Sequence, residues 1–124
     1  MKKQRPVYLD LLKIKQPAAA LVSILHRLSG LLLFLFMPFF LLLLQQSLNS
    51  QASFDALKNY SGNPLLKTVA IFMLWGFAHH FFAGLRFLAL DLHIGTGLAQ
   101  SRQSAWWVMA AGILVAVSGG AAIW

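Results

Sequence analysis

One histidine stands in the middle of an apolar run, with a glycine four residues away on each side: Gly76, His80 and Gly84. Residues spaced by four stack on one face of a helix. The two glycines therefore clear the wall above and below the imidazole, and a flat, bulky partner has room to approach. The run from Leu65 to Leu90 is long enough to cross a bilayer. An imidazole at that depth is costly and is kept for a purpose. Neutral imidazole is a good iron ligand, so haem is the partner this pattern suggests. The competing reading is a structural histidine, its ring satisfied by a group on a neighbouring helix. His79 precedes His80, but consecutive helical residues point about 100° apart, so the pair cannot grip one iron from opposite sides. His80 has the glycines on its face, whereas His79 has Trp75 and Ala83.

A second polar group lies at the start of the first apolar segment. Ser23, His26, Arg27 and Gly30 fall at i, i+3, i+4 and i+7 and share one helix face. Arg27 on its own would be a snorkelling cation. With Ser23 and His26 beside it, the face offers a hydroxyl, an imidazole and a guanidinium to one small polar ligand or to carboxylates. Antiparallel packing would bring Ser23 and Arg27 to the same half of the membrane as His80. An electron-transfer haem needs a second axial ligand. His26 lies at the interface beside Arg27, and His93 falls beyond the apolar run, so that ligand is expected from another subunit. Arg86 and Asp91 close the second segment.

The elements that must hold these groups read as membrane helices. The chain has 124 residues, 59% of them hydrophobic and only 10% charged, with mean hydropathy +0.70. A soluble domain carries about a quarter charged residues. The pattern predicts one all-α membrane domain over residues 1–124, with three transmembrane helices running up-down-up at about 18–45, 65–90 and 105–124. Pro38 suggests a kink in the first of them. The polar stretch 45–64 reads as turn-rich with one short surface helix after Ser53. Trp106, Trp107 and Trp124 mark the ends of the third helix as an aromatic belt. Gly112, Ala116 and Gly120 give it a small-residue stripe for close packing.

Net charge is +7, but its distribution argues against nucleic acid. Lys2, Lys3, Arg5, Lys13, Lys15 and Arg27 crowd the front of the chain, as a juxtamembrane cluster does. Residues 1–17 and the connection 91–104 are therefore expected on the cytoplasmic side. No secretory leader is expected. The sequence holds no cysteine, which removes thiolate metal sites and iron–sulfur ligation within this chain.

These residues also carry a family likeness. Ser23-Ile24-Leu25-His26-Arg27-Leu28-Ser29-Gly30 resembles the first-helix signature of the cytochrome b subunit of succinate dehydrogenase, the larger membrane anchor of respiratory complex II. Arg5-Pro6-x-x-Leu9-Asp10-Leu11 is similar to that family's N-terminal element, and His80-x3-Gly84-x-Arg86-x4-Asp91 to its second signature. The likeness covers nearly the whole chain. It implies a bacterial inner-membrane subunit of a four-part quinone-reducing complex. In it a flavoprotein subunit oxidises succinate, an iron–sulfur subunit relays electrons, and two anchors hold haem b and the quinone site. His80 matches the axial haem ligand, with the other histidine supplied by the second, smaller anchor. Ser23 and Arg27 match quinone-site residues, and His26 with Arg27 match contacts to the haem propionates. Asp91 is assigned to the quinone site on a proton or water path, against simple pairing with Arg86 or helix capping. Phe87 departs from the pattern, since many relatives carry histidine there, and His79 has no assigned role. Two rivals remain: a fumarate reductase anchor running the same electron path in reverse, and a cofactor-free membrane scaffold. An ion or proton carrier would want titratable groups across the bilayer, and the third helix offers none.

Overall fold

The computed structural model describes residues 13–124; the basic cluster at Lys2, Lys3 and Arg5, and the N-terminal motif through Asp10 and Leu11, lie outside the described residues. Four helices follow one another: α1 (Ala18–Asn49), α2 (Gln51–Tyr60), α3 (Pro64–Asp91) and α4 (Leu98–Ile123). Of these, α1, α3 and α4 are long and apolar enough to cross a membrane, and no strand occurs among the described residues. The all-α membrane architecture expected from composition is the one found.

Local chemistry sets the helix ends. At 1.5 Å per residue the 32 residues of α1 reach about 48 Å, beyond a hydrocarbon core of about 30 Å. The helix therefore continues past Gln45, where the apolar run ends, to Asn49, and it runs through Pro38 without a break. Ser50 then turns extended. Its hydroxyl accepts from the Ser53 amide at 3.1 Å, and the Ser53 hydroxyl accepts from the Ser50 amide at 3.1 Å. This reciprocal cap starts α2, the short surface helix expected in this stretch, ten residues long. Ser53 also donates to the Gln46 carbonyl at 2.7 Å, tying α2 back to α1. Asn63 caps α3 through its side-chain oxygen, 2.9 Å from the Leu65 amide, with Pro64 in the first turn. At its other end the chain reverses through His93 at φ 61°, while the Ile94 amide donates to the Ala89 carbonyl at 2.9 Å.

The start of α4 corrects the sequence reading. It begins at Leu98, not at Ala105. Residues 98–104 are polar enough to pass for a loop, but Ser101 and Ser104 are turned inward on helical backbone, where a cation from α3 needs them.

The third element is the spine of the bundle, packing on α1 along one side and on α4 along the other. His26 lies beside Gly84 and Leu32 beside Gly76, so α1 and α3 are antiparallel. Arg86 meets Ser104 and Lys67 meets Trp124, so α3 and α4 are antiparallel as well. The up-down-up order follows. The core is built from small residues, with Val22, Ala83, Ala105 and Val108 forming one cluster. Gly112 brings α4 onto α3: a Cβ added there would sit 3.5 Å from the His79 Cα. Ala116 is buried, and Gly120 lies against Ile71. The predicted stripe is thus a packing seam. Large side chains point outward instead, and Phe34 is 71% exposed; lipid is as apolar as they are, so this costs nothing in a bilayer.

Replacing Gly112 with Leu should weaken the α3–α4 seam by about 1–3 kcal/mol. Gly112→Ala, whose Cβ meets His79 only at ordinary contact distance, should be close to neutral. Thermal unfolding of the detergent-solubilised protein checks this, and equal tolerance of both variants would contradict it.

Candidate functional site

The polar side chains gather where α1 and α3 approach each other near one end of the bundle. On α1, Val22 and Ser29 are buried and mark the inward line of the helix. His26 and Gly30 lie along that line, facing α3. On α3, His80 points back at them. Its Nδ1 lies 3.1 Å from the His26 carbonyl oxygen and 3.3 Å from the Ser29 hydroxyl. The Ser29 hydroxyl itself donates to the same His26 carbonyl at 3.0 Å. A carbonyl only accepts, so the proton of neutral His80 belongs on Nδ1. The lone pair is then on Nε2, which makes no hydrogen bond with any described residue.

Two surfaces hold the His80 ring, and a third backs them. The His26 and His80 rings stack with centroids 4.2 Å apart and planes 9° from parallel. Face-to-face stacking leaves no room for an iron between the two rings, so His26 is not the opposite axial ligand. Gly30 presses on the edge of the His80 ring: a Cβ there would stand 2.9 Å from Cε1 and 3.3 Å from Nδ1. Phe87 closes the far side of His26, ring centroids 5.2 Å apart.

This geometry revises the role of the glycine pair. Gly84 receives the His26 ring, whose Nε2 would stand 3.6 Å from an added Cβ, and Gly76 receives Leu32 at 3.5 Å. Both clearings are taken up by α1. The glycine that makes room for the His80 imidazole is Gly30, on the other helix. The competing structural reading of His80 is also met in part, since the ring does engage a carbonyl. That bond uses Nδ1, however, which is the nitrogen a metal-ligating histidine commonly gives to such a partner.

His79 lies between α1 and α4, where its ring meets the Val22 backbone of α1. It is 1% exposed, lies against Gly112 of α4, and has Trp75 at 5.6 Å between ring centroids. Its Nε2 is buried without a hydrogen-bond partner among the described residues, beside a cavity of about 40 Å³ lined by Leu25, Trp75, Met109 and Ile113.

Arg86 is 8% exposed and is pinned to α4. Its Nε donates to the Ser104 hydroxyl at 3.0 Å, and its Nη2 donates to the Ser101 hydroxyl at 3.0 Å and carbonyl at 3.2 Å. The guanidinium also lies 5.4 Å from the Phe87 ring centre. Asp91 does not pair with it: Asp91 is exposed at the end of α3 and makes no hydrogen bond or ion pair among the described residues.

The face drawn from Ser23, His26, Arg27 and Gly30 divides in three dimensions. His26 and Gly30 turn toward α3. Ser23 is half-buried and Arg27 exposed, and neither hydrogen-bonds to a described residue. In the sequence Ser29 stands only as a member of the first-helix signature string, with no role of its own. The signal that could have singled it out is the offset of three from His26, which lets a serine bond back to that carbonyl. Larger hollows lie elsewhere, one of about 660 Å³ beside Arg102, Trp106 and Trp107 on α4. Another of about 470 Å³ opens between the far halves of α1 and α3, lined by Phe40, Leu44, Leu66, Val69 and Met73, far from these polar groups.

The fold and this cluster define a helical transmembrane subunit with three spans, its polar chemistry confined to one end and facing partly outward. Residues 1–119 match the sequence profile described as Succinate dehydrogenase/Fumarate reductase transmembrane subunit. The chain is also similar to the succinate dehydrogenase cytochrome b556 subunit of Coxiella burnetii (strain RSA 493 / Nine Mile phase I), 38% identical over 125 residues and covering 100% of both chains. The chain belongs to the succinate dehydrogenase/fumarate reductase transmembrane subunit family.

Ser104→Ala should strand the buried Arg86 Nε and cost about 1–3 kcal/mol, while Ser104→Thr, which keeps a hydroxyl, should cost much less. Comparing unfolding midpoints in detergent tests this; an Ala variant as stable as wild type would show that the serine does not hold the guanidinium.

Proposed function

We propose that this subunit binds haem b jointly with a second membrane anchor and forms part of a quinone-reduction site in a succinate:quinone oxidoreductase. One observation carries the reading. The His80 Nδ1–H is committed to the His26 carbonyl, which fixes the tautomer and leaves Nε2 as a directed lone pair. Among the described residues no three metal-ligating side chains gather in one place. A lone imidazole suits a metal whose remaining ligands come chiefly from a macrocycle. His80 would hold the iron from this chain, and the partner anchor would supply a second ligand. Haem b, when bound, provides a reversible one-electron carrier beside the quinone. His26 and Arg27 would meet its propionates.

Ser23 and Arg27 are proposed to hold the quinone. Their unspent donors suit a carbonyl oxygen that gains charge on reduction, and a guanidinium binds such charge strongly. Arg27 faces away from its own chain, which suits a pocket completed by neighbouring subunits. Asp91 lies at the same end of the bundle and is proposed to serve the proton path to that pocket. In this reading the N-terminus and the α3–α4 connection face the cytoplasm of a bacterial inner membrane. There the iron–sulfur and flavoprotein subunits would dock and deliver electrons from succinate. The family also includes fumarate reductase subunits, in which the same residues would serve the opposite electron flow.

His80→Ala in the purified complex should abolish or strongly reduce the Soret band, and His79→Ala should leave most of it, because His79 is buried away from the His26–Ser29 cluster. Retention of a wild-type spectrum by His80→Ala would remove the ligand assignment. Arg27→Ala should cut quinone reduction by ten-fold or more while succinate oxidation by a soluble artificial acceptor persists; equal loss of both activities would count against a quinone role.

A further inference from the structure

We infer that Ser29 is a positioning residue for the His80 imidazole, setting the donor strength of its free nitrogen as well as its orientation. The inference rests on the haem reading above. Three distances carry it: Ser29 Oγ to His80 Nδ1 at 3.3 Å, His80 Nδ1 to the His26 carbonyl at 3.1 Å, and Ser29 Oγ to that same carbonyl at 3.0 Å. They form a closed triangle of polar atoms beside the stacked imidazoles.

The triangle allows one assignment of protons. The His26 carbonyl has none to give, so Nδ1–H and the Ser29 O–H both point at it. The Ser29 oxygen then turns a lone pair toward Nδ1–H, which divides its hydrogen bond between carbonyl and hydroxyl. Each acceptor draws the Nδ1 proton outward and makes Nε2 a stronger donor, as partners of metal-bound imidazoles do. Ser29 is 4% exposed, so water cannot replace its oxygen. Gly30 is the second half of the device. With no Cβ it lets the ring edge come within the distances of Ser29, and the His26 stack prevents the ring from tilting away. A serine acting only as a helix filler would need nothing beyond its bond to the His26 carbonyl, since helical serines satisfy themselves that way. The approach to Nδ1 from a helix 51 residues away in sequence is the added feature.

The test is a redox titration of the haem in the purified complex, with the low-temperature absorption and electron paramagnetic resonance spectra. Ser29→Ala removes one acceptor from Nδ1–H. It should raise the midpoint potential, because a weaker imidazole donor stabilises ferric iron less, and it should broaden the resonance lines through a less fixed ring. Ser29→Thr, which restores a hydroxyl, should return the potential toward wild type. Ser29→Cys, nearly isosteric with a weak acceptor, should fall between and serves if the Ala variant does not assemble. An unchanged potential and spectrum in Ser29→Ala, or in Ser29→Cys where Ala is lost, would overturn the inference. So would a shift that Thr fails to reverse, or lowered thermal stability with an unmoved potential. His80→Ala run alongside separates the two claims: retained haem there defeats the ligand reading itself, whereas lost haem with a silent Ser29 defeats only this inference.

Discussion

A backbone carbonyl inside an apolar bundle must find its partners within the protein, because lipid offers none. The His26 carbonyl finds two beyond its own helix ladder, the Ser29 hydroxyl and the His80 imidazole. The arrangement around the site follows from that constraint. It selects the tautomer of His80, it sets α1 and α3 in register, and it turns the remaining ring nitrogen toward whatever lies beyond. Gly30 and Gly84 are the steric conditions that let the two imidazoles lie flat on each other between the helices.

The rest of the bundle distributes polarity by the same rule. Arg86 is a buried cation with no carboxylate beside it among the described residues, and three acceptors on α4 meet its planar fork. Those acceptors come from Ser101 and Ser104, which is why α4 starts where the sequence looks like a loop. Packing elsewhere rests on small residues, with Gly112 and Ala116 drawing α4 onto α3. The bulky side chains of α1 are left facing outward, an apolar surface that suits lipid or the flank of another membrane subunit.

Much of this was legible in the residues. Apolar run lengths located three spans, and the helices coincide with them through their apolar centres. The small-residue stripe on α4 was readable as a seam because spacing by four survives any rotation of the helix. His80 was readable as exceptional because imidazoles are scarce at that depth. Less was legible at the ends, where Ser50 and Leu98 begin helices through capping and tertiary demand that composition does not reveal. The purpose of the glycines was misread. Spacing showed that Gly76 and Gly84 flank His80 but not that α1 would fill both clearings with Leu32 and His26.

What the sequence determined by itself was periodic: which stretches are helical and long enough to span, and which few polar residues lie within them. Hydrophobicity and helical repeat are properties of one segment, so one segment suffices to read them. The tertiary structure decided which polar groups meet. Ser29, given no role in a linear reading, became a neighbour of His80, while Arg27 and Ser23 turned aside from it and His79 was buried between α1 and α4. Those outcomes depend on the rotation of each helix about its own axis, and that is settled only when two helices pack and a shared carbonyl, a ring edge and a missing Cβ must fit together at once.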